Sequence, residues 1–247
     1  MIKTFVRYSN AQANPNLVFT QLRDKLNPRD QKTLLEVTDR FPGFSAVLMP
    51  FRTVGVQGDG RTYSLCAAIS YENSTKSDLI KNEQFWKDLY QMAKIMPTVL
   101  TYVNRVVFMF GDNAINETPN FTTDTTLTLQ SIDQLRQADH ICTQSLLKHD
   151  CYKKISQMPV VSLPVDFNAN DQSQYGYGKQ NSAVLRSICI RPFITNDFMT
   201  GVPALPVKDV PLECFMEMVD RILKEVIMVS RVMIDLTPKP PGTTEWE

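Results

Sequence analysis

Apolar positions along this chain alternate between helix-like and strand-like spacing, in an order that recurs. The opening stretch, to about residue 16, is polar and weakly patterned. Leu17, Phe19, Leu22, Leu26, Leu34, Leu35 and Val37 then fall at helical intervals, and Asn27-Pro28 divides them into two short helices. Residues 44–50 and 62–70 have strand composition, and Gly58-Asp59-Gly60 between them predicts a hairpin. Phe85, Trp86, Leu89, Met92, Ala93 and Ile95 predict a helix over 83–96 that Pro97 ends. Residues 103–111 read as a buried strand, 113–128 as an Asn- and Thr-rich loop, 129–148 as a helix and 160–165 as a strand. The polar stretch 168–180 is the best boundary between halves. Beyond it come a strand over 182–191, a helix over 211–226 and a strand over 229–237.

The two halves share a junction. Val103-Asn104-Arg105-Val106-Val107 follows one amphipathic helix, and Val229-Ser230-Arg231-Val232-Met233 follows another. With matching element order on both sides, this predicts an α/β (α+β) fold of two related units, each a small β-sheet with packed helices. The expected division is a helical lead-in over 1–40, a first unit with an insertion over 41–167, and a second unit over 168–247 that includes a C-terminal tail.

Composition narrows the chemistry. In 247 residues, Lys+Arg and Asp+Glu both number 26, so no basic surplus points to nucleic acid, and no RNP-like run of basic and aromatic residues supports single-strand RNA binding. The apolar runs are too short or too charged to span a membrane, and the first residues lack a signal-peptide core. Asn73, Asn116 and Asn120 head Asn-x-Ser/Thr triplets, read as chance matches. Five scattered cysteines, with no C-x-x-C pair, suggest reduced thiols and a cytoplasmic (cytosolic) protein without a zinc site. The two histidines, His140 and His149, lie in or just past one helix and read as surface residues. No nucleophile elbow, Walker loop or G-x-G-x-x-G occurs, and no catalytic or metal-ligating residue is assigned.

Two segments stand out. Residues 193–203 (FITNDFMTGVP) mix apolar and small polar residues too irregularly for one element. The tail 239–247 (KPPGTTEWE) combines an ammonium, hydroxyls, carboxylates and an indole on a proline-stiffened end, which is the chemistry that a phosphorylated sugar and a base require. Gly55–Gly60 with Arg61 reads as a turn that could approach an anion.

These stretches resemble the C-terminal domain of glutamine-hydrolysing GMP synthases, above all the longer animal type. The similarity rests on TVGVQGDGRTYS (53–64), VNRVV (103–107), LRQAD (135–139), KISQMPV (154–160), RPFITNDFMTGVPA (191–204) and KPPGTTEWE (239–247), in family order from about Ala46 onward. The resemblance implies the family's dimerisation-domain fold, a homodimer, and contacts from Asp59, Arg61, Gln157, Lys239 and Glu245 to xanthosine monophosphate (XMP). Lys239 and Arg61 would lie near phosphate, Glu245 near ribose or base, and Gln157 and Asp59 would orient the nucleotide. It also implies that ATP and Mg serve the full enzyme mainly outside this chain, where ATP activates XMP and ammonia from glutamine completes GMP. The S-G-G-x-D-S pyrophosphatase signature, the amidotransferase cysteine elbow and the Pro-Gly-Pro-Gly lead-in are missing. The isolated chain is therefore expected to be inactive and to need the catalytic domains as partners. The rival expectation is a free-standing dimerisation or nucleotide-sensing module derived from that domain.

Overall fold

The computed structural model describes residues 1–119, 122–168 and 185–246. The elements run α1 (Ile2–Phe5), α2 (Tyr8–Ala13), α3 (Leu17–Lys25), α4 (Pro28–Arg40), β1 (Phe44–Gln57), β2 (Gly60–Tyr71), α5 (Glu83–Val99), β3 (Val103–Met109) and α6 (Leu129–Lys148). They continue with β4 (Val160–Leu163), β5 (Arg186–Ile190), β6 (Phe193–Ile194), β7 (Val202–Pro203), α7 (Leu212–Glu225) and β8 (Val229–Asp235). The helix starts are marked by side chains that accept otherwise orphaned N–H groups: Asn16 at α3, Asn27 at α4, Asn82 at α5, and a Thr128–Ser131 capping box at α6.

Six strands form one mixed sheet, in the order β1-β2-β3-β8-β5-β4. Strands β1 and β2 are an antiparallel hairpin, and α5 crosses over to place β3 parallel to β2. On the other side β4 and β5 are antiparallel, and α7 crosses over to place β8 parallel to β5. The centre is the antiparallel β3–β8 pair, with Phe108 opposite Ile234. Both parallel pairs slip register at the same point, so that Asn104 and Ser230 each bulge just before Arg105 and Arg231. All these strands share one continuous sheet, so two separate small sheets do not form.

Period-2 alternation sorts the sheet residues onto two faces. Val106 and Phe108, with Val232 and Ile234, face a helix-covered core that holds Phe85, Trp86, Phe215 and Met218. Val107, Met109 and Met233 face a smaller cluster with Val47, Met49, Cys66, Cys189 and Trp246. Arg105 and Asp235 lie in register with this second set.

The polar, weakly patterned opening forms α1 and α2, with Phe5, Val6 and Tyr8 sealed against the core at no more than 1% exposure. A few anchoring side chains override a polar sequence there. Pro97 does not end its helix: α5 runs to Val99, and Leu100 N still donates to Met96 O at 2.9 Å. One turn from the end, the bond that Pro97 lacks is tolerated. The loop expected over 168–180 lies outside the described residues except for Asn168, as do residues 182–184 of the strand expected over 182–191.

Candidate functional site

The tail beyond β8 folds back across the sheet instead of fraying. Leu236 N donates to Val106 O at 3.0 Å, and the Thr237 hydroxyl accepts from Val106 N at 2.9 Å. The Lys239–Pro240 and Pro240–Pro241 peptides are cis. Lys239 and Gly201 then exchange two backbone bonds of 3.0 Å, Val56 N donates to Pro241 O at 2.7 Å, and Val54 N donates to Trp246 O at 2.9 Å. Close approach dictates two glycines. A Cβ on Gly55 would lie 2.9 Å from Pro241 O, and one on Gly201 would lie 2.3 Å from the Phe193 ring.

Under the tail sits a buried charge cluster. Arg105, Arg191 and Asp235 are at most 1% exposed. Asp235 Oδ2 accepts from Arg105 Nη1 at 3.0 Å and from Arg191 Nη1 at 2.6 Å, while Oδ1 accepts from Thr237 N at 2.8 Å. Burial pushes the Asp235 carboxyl up, but Arg191, Arg105 and the Thr237 bonds outweigh it and hold it below its ordinary value. Burial likewise lowers Arg105 against the pull of Asp235. The other terminal nitrogen of Arg105, Nη2, directs its two N–H groups into four oxygens within hydrogen-bonding distance: Val54 O, Thr243 O and Oγ1 (3.1 and 2.8 Å) and Glu245 O. Its guanidinium lies 4.7 Å from the centre of the Trp246 ring. Arg191 Nη1 donates to Thr237 O at 3.0 Å, and the Arg191 guanidinium lies 5.1 Å from the Phe193 ring centre.

The irregular 193–203 segment is a small antiparallel hairpin, β6–β7, whose connection wraps around Asp197. Asp197 Oδ1 accepts from Met199 N and Thr200 N at 2.9 and 2.8 Å, and the Thr200 backbone bond leads in holding its carboxyl below the usual range. This turn presents Phe198 O to Lys239 Nζ at 2.7 Å, and Nζ also donates to Thr244 Oγ1 at 3.2 Å. An ammonium carries three donors, so one remains for a ligand.

The five residues singled out from sequence lie along this path. Gln157 is half-buried and exchanges backbone bonds with Phe193, the strand that the tail-paired Gly201 approaches. Lys239 is half-buried, and Glu245 is exposed with only its carbonyl engaged. Asp59 and Arg61 are exposed at the tip of the β1–β2 hairpin, where Arg61 sits opposite Val56, the residue bonded to the tail. The tail thus threads between the two hairpins, with Gln157 connected to it through Phe193 and Gly201 and Arg61 only through its pairing with Val56, while no contact ties Asp59 to it among the described residues. The sequence reading missed Arg105, Arg191 and Asp235. An arginine inside each otherwise apolar V-[NS]-R-V run was the available signal, because a charge in a buried strand requires a partner. The tail also has a core role that its composition did not suggest: Trp246 is 5% exposed. Among the described residues no group of three or more His, Cys, Asp or Glu side chains could hold a metal ion. Among them, too, no helix is long and apolar enough to cross a membrane.

Residues 144–246 match the family described as GMP synthase C terminal domain. The chain is 44% identical over 209 residues to GMP synthase [glutamine-hydrolyzing] of Dictyostelium discoideum, covering 81% of this chain and 27% of that protein. It is 37% identical over 261 residues to the probable GMP synthase of Caenorhabditis elegans, covering 98% and 32%. A probable GMP synthase of Leptospira interrogans is 28% identical over 94% of the chain and 34% of its own length. The chain thus spans about a quarter to a third of the curated relatives it matches.

Proposed function

We propose, for a chain that carries a GMP synthase C-terminal domain and is related over most of its length to GMP synthases, that it supplies the XMP-binding and dimerisation part of such an enzyme. The observation that carries this reading is the docked tail. Its backbone is pinned to the sheet, yet Lys239 keeps a free donor and the Glu245 carboxylate remains open to solvent. A cation and a carboxylate fixed on one strap suit a nucleoside monophosphate, with the ammonium on phosphate and the carboxylate accepting from ribose hydroxyls or ring N–H.

In this reading Arg61 joins Lys239 at the phosphate, while Asp59 and Gln157 orient the nucleotide from the two hairpins that flank the tail. Adenylation by ATP with Mg, and glutamine hydrolysis, belong to the catalytic domains of the complete enzyme, and the protein works in the cytosol. The exposed β6–β7 turn, with Phe198 61% and Met199 76% accessible, is the proposed two-fold contact. The shared β-β-α-β order and the matching bulges support descent of the sheet from a duplicated unit. In this reading the second unit begins at β4, before residue 168.

The test is steady-state kinetics of the complete enzyme carrying Lys239→Ala or Arg61→Ala. The apparent KM for XMP should rise by roughly ten- to a hundredfold in each, as expected from losing a charge-assisted bond of ~1.5–3 kcal/mol, with ammonia release from glutamine intact. An unchanged KM in both variants would remove these residues from the site.

A further inference from the structure

We propose that Arg105 is a positioning residue: anchored by Asp235, it holds the tail in its nucleotide-binding shape through Thr243 and the Glu245 carbonyl. This deepens the reading of the tail as an XMP site and rests on it. Arg105 is not itself a phosphate ligand, since it is fully buried and its Nη1 is committed to Asp235. Its Nη2 instead reaches four oxygens on two separate chain segments: Val54 O on β1, and Thr243 O, Thr243 Oγ1 and Glu245 O on the tail. The bond to Glu245 goes to the carbonyl, so Arg105 fixes the backbone of that residue and leaves its carboxylate unneutralised. The Trp246 ring against the guanidinium closes the other side of the clamp.

The neighbours assist. Asn104 holds the β1 edge that the tail follows, accepting from Thr53 Oγ1 at 2.6 Å and donating to Thr53 O at 2.7 Å. The matching arginine in the second V-[NS]-R-V run shows what is specific to Arg105. Arg231 Nη1 donates to the carbonyl of its own neighbour Ser230 and to Asn168 Oδ1, and its Nε has no hydrogen-bond partner among the described residues. The two arginines occupy equivalent register positions, and the tail crosses only Arg105.

Arg105→Lys retains a charge for Asp235 but loses the planar fork that spans β1 and the tail. Asp235 also keeps Arg191, so the core is not left with an unpaired carboxylate. Thr243→Val removes the tail-side hydroxyl at nearly constant shape, and Thr243→Ser restores it. Hydrogen exchange of residues 239–246 should quicken in Arg105→Lys and Thr243→Val and return to normal in Thr243→Ser. In the complete enzyme the first two should raise the KM for XMP roughly tenfold, with melting temperature nearly unchanged in Thr243→Val and KM rescued in Thr243→Ser. Unaltered exchange in both loosening variants overturns the clamp. A loosened tail with unchanged KM overturns the positioning role if Lys239→Ala still raises KM. If Lys239→Ala and Glu245→Gln also leave KM unchanged, the XMP reading of the tail has failed instead.

Discussion

Replacing Trp246 with alanine should destabilise the whole fold, although it is the penultimate residue. Its side chain is 5% exposed, packs in the cluster with Val47, Met49, Cys66 and Met233, and lies against the Arg105 guanidinium. Burying roughly 200 Å² of indole at ~25 cal/mol per Å² gives a gross gain of about 5 kcal/mol. A desolvated cation–π contact adds ~1–2 kcal/mol. Ordering the tail offsets part of this, and a chain end relaxes more freely than an interior helix. The net cost of Trp246→Ala should therefore lie near ~3 kcal/mol, at the low end for Trp truncation. At ~2–4 °C per kcal/mol for a domain of this size, the melting temperature should fall by about 6–12 °C. Far-UV circular dichroism reads this without using tryptophan emission. Two controls isolate the cause. Trp246→Phe keeps most of the packing and loses only an indole N–H that has no partner, so it should cost about 1 kcal/mol or less. Glu245→Gln alters an exposed group and should stay within ~0.5 kcal/mol. A fall of less than about 2 °C for Trp246→Ala would refute the reasoning and return the tail to a surface appendage.

The pH response of the clamp follows from Asp235, whose carboxyl is held below its ordinary value. A depressed folded value gives stability that is present above the unfolded value of ~3.9 and lost as pH falls through the folded one. The gap in urea midpoint between wild type and Asp235→Asn, worth ~3–5 kcal/mol for a broken buried pair, should stay constant from about pH 8 to 5 and narrow below about pH 4. Narrowing already at pH 6 would contradict this. Light scattering at micromolar concentration should report a dimer that Phe198→Ser with Met199→Glu converts to monomer. A wild-type mass of 28.2 kDa would remove the two-fold contact.

Much of the scaffold was legible because its signals are local. Asn27-Pro28 is both cap and break, Gly58 takes a φ of +65° in the hairpin turn, and the bounds of α6 follow from Thr128 and the apolar spacing. The order of strands in the sheet was not legible, since no local pattern says that β3 and β8 meet at the centre. The tail was singled out by its chemistry, but its anchor was not. Arg105 and Asp235 are 130 residues apart, and only the folded sheet brings them together. The burial of Trp246 was not legible for the same reason, because it depends on a surface formed by β1, β3 and β8.

The most direct test of the central claim compares XMP with xanthosine, which lacks the phosphate, by equilibrium titration of the complete enzyme. For wild type, XMP should bind far more tightly than xanthosine. Lys239→Ala should weaken XMP roughly ten- to a hundredfold, the equivalent of ~1.4–2.7 kcal/mol, and leave xanthosine affinity unchanged. Equal XMP affinity in wild type and Lys239→Ala would contradict the account.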